Sequence, residues 1–254
     1  MTIPKRPLGR TGVDVPLLGY GTVKIGRNQG LKHGAPHTLP TPEEASRLLN
    51  GMIDLGISLI DTAPAYGLSE RRIGEAIAGR REEVFLSTKV GERFEDGESS
   101  FDFSAEAVHR SLERSLEHLR TDRVDLALVH SDGADIEIMT KTACVESLRR
   151  AKEKGLVRFI GLSGKTVEGA TAALEWADAI MVPLNLEDRS HEAVIAEADH
   201  AGVGVLVKKA LASGSQAGPT ALRYAAGVPG VSAIVVGSLR MDHMLANAEA
   251  IMSG

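Results

Sequence analysis

Four residues able to take part in proton transfer stand at the ends of successive apolar segments of the chain. Asp61 closes the segment "ISLIDTA", Lys89 closes "VFLSTKV" and His130 closes "VDLALVH". Tyr66 follows five residues after Asp61. A free phenol titrates near pH 10, so Tyr66 is a poor donor at neutral pH unless a nearby cation favours its anion. Lys89 is suited to supply that cation, and Asp61 to keep Lys89 charged.

His130 extends this group into a site for a developing negative charge. An imidazole beside the phenol can donate or accept a hydrogen bond and so orient a carbonyl oxygen. Reduction of that carbonyl also needs a hydride, which no side chain provides, so a nicotinamide cofactor is required. Each residue alone has a simpler interpretation, such as a hydrogen-bonded core histidine or a loop tyrosine. Four in consecutive segments favour a shared site.

Eight short apolar segments recur along the chain, and they must form the elements that position these residues. They are "PLLGYG", "ISLIDTA", "VFLSTKV", "VDLALVH", "RFIGLSG", "AIMVPLN", "VGVLVKK" and "SAIVVG". The segments lack strict alternation, which is typical of parallel strands covered on both faces, and helical periodicity lies between them. Eight such units predict a (β/α)8 TIM barrel, formed as a single domain over residues 1–254. An open doubly wound sheet is the structural alternative.

Local signals predict where several elements begin. Thr11 and Gly12 read as the turn of an N-terminal β-hairpin, and Thr41 as the N-cap of a helix that continues with "PEE". Ser69 is interpreted as the cap of another helix. In residues 104–119, apolar positions recur every three or four residues, which predicts a surface helix.

Composition excludes several functional classes. The net charge is −5, without the basic stripe that nucleic-acid binding requires, and no apolar run reaches the roughly 20 residues of a membrane span. We therefore expect a cytoplasmic protein, by default a monomer, that acts on a small molecule. Cys144, the one cysteine, is expected to be a buried hydrophobe. His33 and His37 lack neighbours at ligand spacing, so no metal site is predicted.

The order and spacing of several motifs resemble the aldo-keto reductase family along essentially the whole chain. The motifs are "LGRTGVDV", "GYGT", "DTAPAYGLSERRIGEAI", "STKV", "LVH", "GLSG", "VPLN" and "VVGSLRMDHMLAN". The resemblance implies a (β/α)8 barrel that reduces aldehydes and ketones with NADPH. It matches Asp61, Tyr66, Lys89 and His130 to the family's catalytic tetrad, with Tyr66 as the general acid.

The same resemblance implies a set of residues that bind the cofactor. They are Gly21, Thr22, Ser163, Asn185, Leu211, Ser213, Gly214, Gly237, Ser238, Arg240, His243 and Asn247. Ser238 and Arg240 would meet the 2′-phosphate, which favours NADPH over NADH. Three positions depart from the family pattern: Gly164 replaces an asparagine, Met181 a glutamine, and Leu184 the tyrosine that stacks on the nicotinamide. We expect weaker or differently posed cofactor binding.

The substrate pocket is expected to be open, because the chain ends directly after its last helix. Residues 24–40 and the segment "GERFEDGESSFD" are expected to shape it. Two other functions stay open. A Schiff-base lyase or aldolase would use Lys89 or Lys208, and a non-catalytic redox sensor would bind the cofactor without turnover.

Overall fold

A computed structural model describes residues 2–30, 37–212 and 218–253 of the chain. Its strands, in chain order, are β1 (Lys5–Pro7), β2 (Asp14–Pro16), β3 (Leu18–Gly21), β4 (Leu59–Asp61), β5 (Phe85–Val90), β6 (Glu92–Glu95), β7 (Glu98–Phe101), β8 (Val124–His130), β9 (Val157–Ser163), β10 (Ala179–Pro183), β11 (Gly204–Lys208) and β12 (Ala233–Val236). Its helices are α1 (Val23–Gly26), α2 (Pro42–Asp54), α3 (Ser69–Ala76), α4 (Ala105–Leu119), α5 (Asp135–Lys141), α6 (Cys144–Glu153), α7 (Val167–Ala173), α8 (Glu192–Ala201), α9 (Gly218–Gly227) and α10 (Met241–Met252).

The eight apolar segments form a closed parallel barrel. Its strands follow the order β3, β4, β5, β8, β9, β10, β11 and β12, and β12 pairs with β3 to close the ring. The predicted (β/α)8 TIM barrel is therefore confirmed. The predicted hairpin is confirmed as well, because β1 and β2 pair in antiparallel fashion. Leu8 and Val15 of this hairpin are fully buried against residues of the barrel interior.

Two apolar cores hold the barrel together. An inner cluster fills the barrel and includes Leu59, Leu128 and Leu206, whereas an outer cluster between the sheet and the helices includes Ile60 and Val129. Successive residues of a strand point to opposite faces, so each strand supplies both clusters. Each buried side chain of this size contributes roughly 1.5–3 kcal/mol.

The start of α2 agrees with the sequence, whereas the start of α3 does not. Thr41 and Glu44 form the complete capping box, in which each side chain bonds the other residue's backbone N–H. The interpretation of Ser69 as a cap is wrong: the N-cap of α3 is Leu68, and it has no side-chain cap. The Ser69 hydroxyl is fully buried and donates instead to the hydroxyl and carbonyl oxygens of Thr22, because α3 packs directly against the loop after β3.

Two segments that were expected to shape the substrate pocket contain regular secondary structure. The segment after β5 forms the β6–β7 hairpin, in which β6 alternates half-buried and exposed positions and β7 is exposed along its length. Phe103 packs on the outer core and so anchors the segment that follows the hairpin, whereas Phe101 is exposed. The long loop after β3 begins with the short helix α1. Among the described residues, no helix has both the length and the apolarity that crossing a bilayer would require.

Candidate active site

A cavity of about 560 Å³ opens at the carboxyl end of the barrel. Every barrel strand contributes a lining residue to it: Gly21, Asp61, Lys89, His130, Ser163, Pro183, Lys208 and Val235. Tyr66 also lines the cavity, from the 3-10 turn Pro64–Tyr66 that follows β4. The structure thus brings the four candidate catalytic residues into one cavity.

The two-residue period of the strands explains this convergence. Leu59, Leu128 and Leu206 point into the barrel, as members of the inner core. The residue two positions further along each strand points the same way, one layer nearer the mouth. That step leads to Asp61, His130 and Lys208. The alternation that fills the core therefore also delivers polar side chains to the cavity.

Asp61 and Lys89 form a buried ion pair across neighbouring strands. Nζ of Lys89 donates to Oδ2 of Asp61 at 2.6 Å and to the carbonyl oxygen of Thr62 at 2.8 Å. The other carboxylate oxygen accepts a hydrogen bond from Ser87. Both charged side chains are less than 5% exposed. Burial opposes the charged form of Lys89, but the charge of Asp61 and contact with Tyr66 leave its pKa above the ordinary value.

Tyr66 lies beside this pair. Nζ of Lys89 is 4.8 Å from the centre of the tyrosine ring. Burial raises the pKa of the Tyr66 hydroxyl, the charge of Lys89 and its hydrogen bond to the phenol lower it, and the net shift is upward. The phenol therefore carries its proton at neutral pH, and the lysine reduces the cost of releasing it.

His130 completes the group on the other side of Tyr66. The two rings meet edge to face, with centroids 6.1 Å apart. Nδ1 of His130 lies 2.8 Å from Oε2 of Glu92, which is hydrogen-bonding distance, although the direction of this contact is not ideal. Burial lowers the pKa of His130, while Glu92 opposes that shift and Lys89 and Lys208 add to it.

Lys208 is a second amine in the cavity. Its Nζ donates to Oγ of Ser163 at 3.0 Å and to the carbonyl oxygen of Gly164 at 2.7 Å. Within the described part of the chain, no carboxylate pairs with it. Burial and then the charges of Lys89 and Lys209 lower the pKa of Lys208 to about 7. This amine is therefore divided between its neutral and charged forms near neutral pH.

Sequence reasoning missed the importance of Glu92 and His191. Glu92 begins β6, in a segment for which the sequence predicts no strand. His191 lines the cavity while only 3% exposed, and its Nε2 has no well-directed hydrogen bond to any described residue. The two-residue step from Leu206 to Lys208 was readable from the sequence, but the contact between Glu92 and His130 depends on how the hairpin folds.

The predicted cofactor residues fall into separate groups. Gly21, Thr22, Ser163 and Gly237 line the cavity. The side chain of Asn185 is turned toward its own loop, where it bonds the backbone of Glu187, Asp188 and Lys209.

Five further predicted cofactor residues are described by the structure but do not line the cavity. Ser238 and Arg240 lie just before α10, His243 and Asn247 lie within it, and Leu211 is half-buried after β11. Arg240 forms an exposed ion pair with Asp242. Ser213 and Gly214 lie outside the described residues, as does His33.

Leu184 does not occupy the position expected for a nicotinamide-stacking residue. It is fully buried in the outer core, because the alternation of β10 sends Met181 and Pro183 to the cavity and the next residue to the opposite face. The cavity-facing side chain at the end of the adjacent strand is Lys208.

Comparison with known proteins gives consistent matches along the chain. Residues 17–220 match the model of the Aldo/keto reductase family. A putative aldo-keto reductase from Pseudomonas aeruginosa has a structure 46% identical in sequence, with a TM-score of 0.91 and coverage of 98% of this chain and 95% of that one. The holo form of an aldo-keto reductase from Bacillus halodurans is 26% identical, with a TM-score of 0.84 and coverage of 98% and 91%.

A curated relative is similar over a shorter part of its length. L-galactose dehydrogenase of Arabidopsis thaliana is 35% identical over 180 residues, which make up 68% of this chain and 52% of the relative. The matched region thus spans about half the length of that relative.

Proposed function

The chain belongs to the aldo/keto reductase family, and we propose that it is an NADPH-dependent oxidoreductase that reduces the carbonyl group of an aldehyde or ketone to an alcohol. The observation that carries this proposal is the buried Asp61–Lys89 ion pair next to the phenol of Tyr66. A lysine held charged in a low-dielectric cavity stabilises a phenolate more strongly than the same charge would in water.

Each of the four residues has a defined role in this proposal. Tyr66 is the general acid that gives its proton to the carbonyl oxygen. Lys89 stabilises the resulting phenolate, and Asp61 keeps the lysine charged and fixed in position. His130 contacts the carbonyl oxygen from the opposite side of the phenol. Proton uptake from solvent then restores Tyr66.

The chain's own residues fit a nicotinamide dinucleotide. The bound cofactor would supply the hydride that the carbonyl carbon accepts. Ser163 and Lys208 offer polar groups inside the cavity, and Nε2 of His191 is a buried atom without a well-directed hydrogen bond to the described residues, which a polar ligand could satisfy. The start of α10 has no side-chain cap, so its backbone N–H groups are suited to a phosphate.

The preference for NADPH rests on Arg240. Its guanidinium fork suits a 2′-phosphate, and its present partner Asp242 is a solvent-exposed residue. An exposed ion pair of this kind contributes little to stability because water screens both charges, so a phosphate dianion can compete for the arginine. Ser238, His243 and Asn247 belong to the same proposed site, and Gly21, Thr22, Gly237, Asn185 and Leu211 to the remainder of the cofactor path.

Substitution of Tyr66 by Phe tests the proposal. The change removes one hydroxyl and keeps the ring, so the rate of NADPH-dependent reduction of a nitrobenzaldehyde should fall roughly 10²- to 10⁴-fold. Cofactor binding, followed by fluorescence titration, should persist because the phenol is needed for proton transfer. Equal rates in the two proteins would remove Tyr66 from the mechanism, and absence of NADPH binding by the wild type would refute the reductase function.

A Schiff-base lyase or aldolase is the second candidate, and the lowered pKa of Lys208 favours it. A nucleophilic amine must be neutral, which Lys208 partly is near pH 7 and Lys89 is not. Borohydride trapping with a carbonyl compound, followed by mass spectrometry, distinguishes the two functions. A stable adduct on Lys208 would support the lyase, whereas NADPH-dependent turnover without an adduct supports the reductase.

A further inference from the structure

The carboxylate of Glu92 is the acidic group nearest to His130. Glu92 is the first residue of β6, and its Oε2 lies 2.8 Å from Nδ1 of the imidazole. It belongs to neither the buried Asp61–Lys89 pair nor the motifs that revealed the site. A carboxylate this close to one ring nitrogen determines which nitrogen carries the proton, because a carboxylate can only accept.

Two further contacts hold Glu92 in place. The hydroxyl of Ser99 on β7 donates to its Oε1 at 2.7 Å, and Nη1 of Arg27 lies 3.8 Å from the same oxygen. Arg27 is itself fixed, since its guanidinium stacks on the ring of Phe94 at 3.4 Å and donates to the carbonyl oxygen of Ala65. Ala65 immediately precedes Tyr66, so one arginine links the hairpin to the turn that carries the phenol.

The charge state of this pair follows from its surroundings. Burial works against the charged form of Glu92, but His130, Ser99 and Arg27 together lower its pKa to about 2. Ser99 and Arg27 act on the carboxylate whether or not the ring is protonated, so Glu92 remains an anion at neutral pH. The groups that face His130 are Glu92, Tyr66, Lys89 and Lys208, and both lysines disfavour the imidazolium. Glu92 is therefore the group that counters them.

We propose that Glu92 is a positioning residue that acts through His130, by holding a proton on Nδ1 and leaving Nε2 as the ring nitrogen available to the cavity. In the neutral ring Nε2 is then an acceptor, and in the imidazolium it is a donor to the substrate oxygen. Glu92 stabilises the donor form and fixes the orientation of the ring. The consequence for catalysis rests on the proposed reductase function, whereas the proton position on His130 does not.

Substitution of Glu92 by Gln tests the inference by NMR on the protein without cofactor. The amide keeps an oxygen for Ser99 but loses the charge. The ¹⁵N shifts of His130, assigned by their loss in His130→Gln, should show the proton on Nδ1 in the wild type. In Glu92→Gln the proton should be shared between both nitrogens, and the His130 pKa should fall by roughly one unit or more. The kcat for carbonyl reduction should fall by about tenfold for each unit by which the His130 pKa falls, with NADPH binding unchanged.

Glu95→Gln is the matched control, because it removes the same charge from the same strand. The side chain of Glu95 is 56% exposed and pairs with Arg93 instead of the active site. This control should leave the His130 titration and the reduction rate unchanged. An identical proton position and pKa of His130 in Glu92→Gln and wild type would overturn the inference. That result would leave the Tyr66 assignment intact, and a failed Tyr66→Phe test would not affect the NMR result.

Discussion

The two ends of the barrel both hold buried or half-buried cations, but they hold them differently. At the amino end, Arg6 closes one side of a cavity of about 450 Å³ and donates to the carbonyl oxygens of Val231 and Ala226. Near the start of β8, Asp125 accepts hydrogen bonds from the side chains of Arg81 and Arg158 and from the backbone N–H of Leu86. The charges at this end face fixed partners.

At the carboxyl end the cations are lysines with fewer opposing charges. Lys89 has one carboxylate, and Lys208 has only neutral acceptors among the described residues. A guanidinium stays charged in any protein environment, whereas an ammonium group gains or loses its proton according to its surroundings. The amino end therefore stabilises the fold, whereas the carboxyl end holds Lys89, which stays charged, and Lys208, whose protonation can change near neutral pH. Three substitutions test this difference.

Removal of Lys89 should give the largest effect. Lys89→Met leaves the buried carboxylate of Asp61 with only the Ser87 hydroxyl, which should lower the free energy of unfolding by about 3–5 kcal/mol. The double variant Asp61→Asn, Lys89→Met removes both charges and should recover most of that loss. Neither protein should reduce a carbonyl at more than a small fraction of the wild-type rate. Urea unfolding and NADPH consumption measure the two properties separately.

The double variant distinguishes two roles of the Asp61–Lys89 ion pair, which are support of catalysis and stabilisation of the fold. If stability returns and activity does not, the ion pair serves chemistry rather than folding. A double variant as unstable as Lys89→Met would show that the pair is itself a major source of stability, like the contacts of the amino end.

The substitution Asp125→Asn should give an intermediate effect on stability alone. The carboxylate of Asp125 accepts two hydrogen bonds at Oδ2 and one at Oδ1, and an amide offers a single acceptor oxygen, so at least one donor loses its partner and both arginines lose the opposing charge. We expect a loss of about 1–3 kcal/mol with kcat/KM unchanged. Glu82→Gln is the control, since Glu82 is 85% exposed and 3.5 Å from Arg123, and it should change stability by about 0.5 kcal/mol or less. Loss of activity in Asp125→Asn would show that the contacts of Asp125 at the amino end also support catalysis at the carboxyl end.

The fold was largely predictable because one repeated pattern determines it. Short apolar segments separated by amphipathic helices specify buried parallel strands, and eight repeats close a barrel. The capping box at Thr41 was readable because its partners are three residues apart. Ser69 has the same local appearance, but burial against Thr22 overrides the local preference for a cap. The β6–β7 hairpin was missed because its strands are short and half-exposed.

The residues of the candidate site were predictable where they lie at the ends of barrel strands. Contacts between parts of the chain that are distant in sequence were harder to predict. Asp61 and His130 end their strands and Lys89 lies one residue before the end of its strand, so topology alone brings them together. The assignment of Leu184 failed because a motif was matched without following the alternation of β10. The contact between Glu92 and His130 joins residues 38 positions apart through a hairpin that the sequence did not reveal. The assigned catalytic and cofactor roles stay predictions.

Lys208 gives an effect that appears only as a pH dependence of stability, and it provides the most direct test of a charge that the fold can tune. Burial brings its pKa to about 7 from the ordinary value of 10.5. Between those values the unfolded chain binds a proton that the folded chain has released, so the stability of the folded state rises with pH. The rise is at most about 1.4 kcal/mol per pH unit.

We therefore expect the wild type to gain stability relative to Lys208→Met between about pH 7 and about pH 9, measured by urea unfolding. Lys209→Met, at an exposed neighbouring position, should follow the wild-type profile. Parallel profiles for the wild type and Lys208→Met would mean that Lys208 stays charged throughout, and the cations at the two ends of the barrel would then differ in partners alone and not in protonation.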